Sequence, residues 1–470
     1  MWLNKIKIEE GVKFFLIFLL ISQLFLINGY YLFICTLVLY FGIYYLQQQY
    51  KPAVFTIIFI YHFLQIISGV WQASYLGNDI NYRSDNMGLA TIISLLGLII
   101  MFLPVIYYQS KIPPLNFQVL KEHAHKLSIN KTYYVYLIAF FVTGFLNGIR
   151  FLLPGYTQFI ISIISLKWFF FVLFGFQSLL KNKRKKEFYF FILLEFVLGF
   201  YSFFSDFKTV LFFVAVIYFT LLNRITIKRI VIATVITVIG FLGATIWTTI
   251  KVDYRKFLNK GSVSQNVEVS QNEALTKLYE ITNTRGKKVT SSATEKLLDR
   301  LQGTFHLAKT MDRIPAIIPY QNGSNWGETF AYVFTPRLFN PDKAQLNSSE
   351  KASYYTGIKY AGRDQGTAFS LGYFADSYID FGIYGMLIAL FFIGLLFGYT
   401  YFYFLRNSSS NYIFNYSVVC ALYMRFFAFE MDSIFFIGNL FTDLITYFLL
   451  SKFFFPWLYN FLLAPKGTDS

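Results

Sequence analysis

The sequence predicts an all-α, polytopic transmembrane bundle of about twelve helices with one large polar insertion. Three observations predict it. Only 14% of the residues are charged, while 56% are hydrophobic, 21% are aromatic and mean hydropathy is +0.49; a soluble domain carries roughly 25% charged residues. The apolar residues come in long runs such as IVIATVITVIGFLGATIWTTI (230–250), matching the roughly 20 residues a helix needs to cross a bilayer. Lysine and arginine gather in the short loops between runs, the positive-inside pattern of membrane proteins. That pattern accounts for the net charge of +16 without nucleic acid, since no basic face with interleaved aromatics lies outside the runs.

Hydropathy sets the spans near 12–28, 30–47, 53–74, 88–108, 132–152, 157–180, 187–205, 209–223, 230–250, 383–405, 411–429 and 433–455. Backbone polar groups in lipid must be satisfied within the segment, so each run is expected to be helical. The first follows Lys5 and Lys7 and lacks a small-residue cleavage site, so it is expected to be a retained signal anchor. The basic loops KEHAHKLSINK (121–131), KNKRKKE (181–187) and NRITIKR (223–229) all fall on one side when both termini are cytoplasmic. SYLGNDINYRSDN (74–86) then lies outside. Cys35 and Cys420 sit within apolar runs and read as small buried hydrophobes.

The chain thus divides into 1–250 with spans one to nine, a large external loop over 251–367, and 368–470 with the last three spans. A structureless connection as long as 251–367 is unusual, so an ordered external cap is expected. Its start, NKGSVSQNVEVSQN, reads as flexible, and TEKLLDRLQGTFHLAKTMDRI (294–314) as an amphipathic helix lying on the bundle or at the interface. No internal repeat and no inverted pair of broken helices is apparent.

No P-loop, zinc spacing or nucleophile elbow is apparent either. Of the four histidines, His306 alone lies in the external loop, where a structural role and a catalytic one are both open. The loop carries Arg285, Arg300, Arg313, Arg337 and Arg363. These are surface cations or lipid-headgroup anchors, or some of them converge on an anion, since guanidinium binds phosphate oxygens as a fork. Arg337 is the best-placed candidate. In YVFTPRLFNPDK (332–343), Pro336 and Pro341 stiffen the backbone around it and Lys343 follows, and preorganised cations act more strongly on a developing charge than mobile ones.

Next, GRDQGTAFSLGYFADSYIDFGIYGMLIAL (362–390) is broken by glycines. Irregular backbone at membrane depth is tolerated only where protein buries it or it lines a wet cavity, so 366–382 is expected to be a re-entrant or half-buried entry to the tenth span. That would bring Asp376 and Asp380 to the mouth of a cavity, unless they simply cap the following helix. Arg150, Glu195, Asp206, Lys208, Arg425, Glu430 and Asp432 lie within or at the ends of spans, where ionisable groups carry a functional expectation; Glu195, the deepest, could instead pair with another helix.

The chain resembles the oligosaccharide repeat-unit (O-antigen) polymerases of bacterial lipid-linked polysaccharide synthesis. The resemblance rests on the twelve-span plan with a late external loop, on TPRLFNPDK, and on GTAFSLGYFADSYIDFGIYG with its acid, tyrosine and closing Phe-Gly-x-x-Gly. Asp376 falls where the family usually has an acidic residue, and Lys208 where relatives often have arginine. The resemblance implies a glycosyltransferase in the bacterial inner membrane that moves a glycan from an undecaprenyl-diphosphate carrier onto a lipid-linked repeat unit at the periplasmic face. It implies no cofactor and no nucleic acid; a chain-length regulator and a flippase of the pathway are expected partners beside membrane lipid. A departing diphosphate needs positive charge, and without a metal-ligand cluster in the sequence that role falls to arginine and lysine. Arg337 and Lys343 would clamp it, with Arg300, Lys208 and Arg425 as further candidates. Asp376 would position or deprotonate the acceptor hydroxyl with His306 as the competing base, and Asp380 and Tyr378 would line the acceptor cavity. The competing expectations are an O-antigen ligase relying on His306, a flippase for lipid-linked sugars, and a non-enzymatic envelope scaffold.

Overall fold

The computed structural model describes residues 5–150, 156–201, 207–262, 267–285, 291–335, 340, 343, 346–362, 368–426 and 431–465. Among them the apolar runs form α1 (Glu10–Ser22), α2 (Gly29–Leu46), α3 (Val54–Tyr75) and α4 (Met87–Ser110). The short α5 (Phe117–His125) follows, then α6 (Ile129–Ile149), α7 (Thr157–Lys181), α8 (Lys185–Gly199), α9 (Phe207–Thr220) and α10 (Ile227–Leu258). The polar insertion carries α11 (Gln271–Arg285), α12 (Ser291–Leu301), α13 (Gly303–Met311), α14 (Ser324–Phe334) and α15 (Ser348–Thr356). The chain returns through α16 (Tyr373–Asn407), α17 (Tyr412–Tyr423), α18 (Ser433–Leu449) and α19 (Phe455–Leu462).

The protein is an all-α membrane protein: among the described residues 8 helices are long and apolar enough to cross a bilayer. The remaining apolar runs are helical too, but α1, α8, α9 and α17 have 13, 15, 14 and 12 residues, short of the roughly 20 that a full crossing takes.

The bundle has two chemically different ends. At one, the basic loops are tied together: the strands Lys7–Ile8 and Arg224–Ile225 pair in parallel, Lys181 Nζ donates to the Leu127 carbonyl at 2.7 Å, and Ser128 N donates to Leu462 O. Lys7 and Leu462, near the two ends of the described residues, both lie at this basic end. At the other end the insertion sits as a cap. Arg83 of the α3–α4 connection pairs with Asp299, and Ser84 and Asn86 donate to Asp312.

α16 packs closely on α4. A Cβ at Gly394 or Gly398 would fall 1.8 Å from Met101 O and 2.8 Å from Pro104 O, so this small-xxx-small pair lets the two backbones touch. The expected amphipathic helix over 294–314 is two helices, α12 and α13, broken at Gln302, which leaves helical geometry at ψ 81° and donates its side-chain amide to Gln72. The stretch read as flexible is partly pinned: Ser270 and Glu273 cap each other at the start of α11, a capping box.

Candidate functional site beneath the cap

The expected half-buried entry is a helix. From Tyr373 to Asp380 every side chain of α16 is buried, and the helix breaks at Gly382, whose φ of 66° and ψ of −164° suit glycine alone. The break frees backbone acceptors at the end of this short segment, and the cap fills them. Gln321 N donates to Ile379 O and Asn322 N to Asp380 O, at 2.9 and 3.0 Å. In return the Asp380 carboxylate receives Asn325 N, Asn325 Nδ2 and Trp326 N at 3.1, 2.9 and 2.8 Å. Those are first-turn donors of α14, where a carboxylate is doubly favoured by capping and by the helix dipole. Tyr378 adds a bond to Ile314 O.

One turn earlier on the same helix, Asp376 is fully buried. Its Oδ2 accepts Ser433 N at 3.0 Å, and its Oδ1 lies 2.7 Å from Lys351 Nζ, with side-chain exposures of 1% and 22%. Asp432 caps α18 beside it, accepting Ile434 N. Two carboxylates thus share one helix N-terminus and one ammonium. Burial by itself would lower the Lys351 ammonium, but Asp376 and Asp432 more than offset that and raise it. Burial and the Asp376 charge push the Asp432 carboxyl above its ordinary range, against the pull of Lys351. The arrangement sets two carboxyls around one cation, with the lysine as its exposed edge.

His306 lies on α13 in an aromatic setting, its Nδ1 bonded to Tyr360 Oη at 2.8 Å and its ring edge-on to Phe369. Burial, with the Arg83 charge adding to it, lowers its pKa to about 4, so it is neutral at pH 7. Lys343 Nζ donates to Tyr332 O and to Thr335 O (2.8 Å) and lies over the Tyr332 ring, at the C-terminal end of α14. Arg425 grips Asp443 of α18 with two bonds, of 2.5 and 2.7 Å. Arg300 and Lys208 are exposed. Arg337 with Pro336 and Pro341, and also Asp206, Arg363 and Glu430, lie outside the described residues. Glu195 does pair within the bundle, with Lys167 at 2.8 Å and with Tyr136.

The structure therefore brings Asp376, Tyr378 and Asp380 together on one buried helix and adds Lys351, which the sequence reading did not single out. Lys351 is one of several lysines in a polar loop, and only the docking of α15 brings it to Asp376. A domain of unknown function (DUF8712) matches residues 93–456. The chain belongs to the DUF8712 family. No curated protein and no solved structure matches it. The DUF8712 region begins inside α4 and ends inside α19, so it holds His306, Lys351, Asp376, Asp380 and Asp432. Arg83, which pairs with Asp299 under the cap, lies before it.

Proposed function

We propose that this DUF8712 protein is a lipid-linked glycan polymerase of the bacterial inner membrane. It would span the bilayer about twelve times, the short helices α1, α8, α9 and α17 crossing where the bilayer thins to meet them, with its basic end and both termini cytoplasmic and its cap periplasmic. The observation that carries the reading is the buried Lys351–Asp376–Asp432 cluster, which adjoins the cap and sits at a helix N-terminus. In the reaction, a hydroxyl of the acceptor repeat unit attacks the anomeric carbon of the donor glycan. The carbon–oxygen bond to the diphosphate breaks, and the carrier lipid keeps the diphosphate with the bonding electron pair. The hydroxyl proton passes to a carboxylate, Asp376 or the neighbouring Asp432, whose raised pKa makes it the better acceptor. Arg337 and Lys343 remain the proposed clamp for the departing diphosphate, since charge developing there is stabilised by fixed cations.

The test is complementation of a deletion strain, read by lipid and polysaccharide profiling. Asp376→Asn and Arg337→Ala are expected to give single repeat units attached to the core, with no long chains and with protein amounts unchanged. Long-chain polysaccharide persisting in both variants sinks the assignment. A second reading, an O-antigen ligase, is favoured by one observation: His306 is a neutral, buried histidine in the cap. Free polymer left on carrier lipid in the deletion strain would select it. Accumulation at the cytoplasmic face would instead select a flippase.

A further inference from the structure

At the basic end, remote from the cap, a cavity of about 390 Å³ opens between the residues just after α4 (111–113), the last turn of α16 and the start of α17. Its polar lining includes Lys111, Arg406, Ser409, Ser410, Tyr412 and Asn415, and no carboxylate lines it among the described residues. A water takes about 30 Å³, so the space suits a headgroup rather than one or two waters. Lys111 Nζ rides 4.3 Å from the centroid of the Tyr107 ring, and Arg406 Cζ lies 5.2 Å from that of Phe402. Both cations are exposed, and neither has a carboxylate partner among the described residues. A third positive charge stands behind the wall. Lys51 is 1% exposed and donates to Gln109 O and Ile112 O at 2.7 and 3.0 Å, and Ile112 lines the cavity.

We propose that this cavity binds the phosphate of an anionic membrane phospholipid. A guanidinium fork and an ammonium facing one space are the pair that a phosphodiester satisfies best. The Ser409 and Ser410 hydroxyls and the Asn415 amide donate within the fold, to Asn415 Oδ1, Tyr459 Oη and the Leu405 and Ser409 carbonyls, so they fix the shape of the wall and the two cations carry the recognition. The exposed aromatic rings Tyr107 and Tyr399, 52% and 54% exposed, lie on the α4 and α16 turns leading to the cavity and mark the level at which headgroups meet acyl chains. Lys51 adds fixed positive potential from within the fold, so the site is not built of mobile surface cations alone. Basic pockets between helices at one membrane face select anionic headgroups in this way. The proposal does not depend on the glycan chemistry at the other end.

The test uses the full chain, purified in detergent, given phosphatidylglycerol or phosphatidylcholine and read by native mass spectrometry. The expected result is retention of phosphatidylglycerol over phosphatidylcholine, falling about fivefold for each cation removed in Lys111→Gln and Arg406→Gln. Lys228→Gln, an exposed cation at the same end outside the cavity, is expected to leave the adduct unchanged. Equal retention of both lipids, an equal loss in Lys228→Gln, or displacement of phosphatidylglycerol by equimolar inorganic phosphate would overturn the proposal. If Arg406→Gln fails to fold, Lys111→Gln decides: an undiminished adduct there overturns the proposal equally.

Discussion

Replacing Lys351 with methionine keeps most of the side-chain volume and removes the one ammonium that Asp376 and Asp432 share. Asp376 is 0% exposed and would keep only the Ser433 N–H, so the variant strands buried negative charge. Breaking a buried pair from one side costs about 3–5 kcal/mol. Lys351 retains 22% exposure, and water reaching its end of the site puts the cost near the lower value, about 3 kcal/mol. For a chain of this size that is a fall in Tm of roughly 3–6 °C, scaled down from smaller domains. The deficit has a pH signature. Burial and the Asp376 charge raise the Asp432 carboxyl and Lys351 opposes them, so without the lysine Asp432 in the fold takes up a proton that the unfolded chain releases. The deficit is therefore largest at neutral pH and shrinks as pH falls towards the unfolded value of about 3.9. The assay is thermal unfolding in one detergent at pH 7.5 and 5.0, with Lys351→Met/Asp376→Asn as the closing corner of a double-mutant cycle. The double variant is expected to recover at least half of the loss. A Lys351→Met deficit of the same size at both pH values, unrelieved by Asp376→Asn, would refute the shared-ammonium account.

Three further outcomes follow from the same geometry. Asp380→Ala removes the acceptor of three N–H donors at the start of α14 and is expected to cost about 2–3 kcal/mol, seen as faster proteolysis within the cap before the bundle unfolds. Gly382→Ala puts a Cβ at φ 66° and within 3.1 Å of the Tyr320 ring, so a loss of about 1–3 kcal/mol is expected, measured as a lower Tm. His306 has a folded pKa near 4, below its unfolded 6.5. Stability is therefore lost as pH falls through that window, by up to about 3 kcal/mol, and His306→Gln is expected to flatten Tm between pH 6.5 and 4.5.

Much of the architecture is legible in composition. A run such as 230–250 has no alternative to helix in lipid, and the cationic loops report which helix ends lie together, because both signals are properties of single segments. The site was legible only by halves. Asp376, Tyr378 and Asp380 stood out because their segment mixes acids and glycines where an apolar helix should begin, and that mixture is local. Lys351 did not, because nothing in SSEKASYYT separates it from other loop lysines. Gln302 likewise interrupts a periodic pattern by bonding to Gln72, a partner 230 positions away in the chain.

The sequence alone thus determines that this is a helical membrane protein with a basic end and a polar insertion, since hydropathy and charge act residue by residue. Tertiary structure decides which charges meet. Lys351 reaches Asp376 and Asp432 only because α15 docks over the N-terminus of α18. Asp380 becomes the cap of α14 only because the helix breaks at Gly382 and leaves acceptors there. Arg425 is taken by Asp443 because α17 ends beside α18. Burial sets the cost of leaving any of these groups unpaired, and burial exists only once the helices pack.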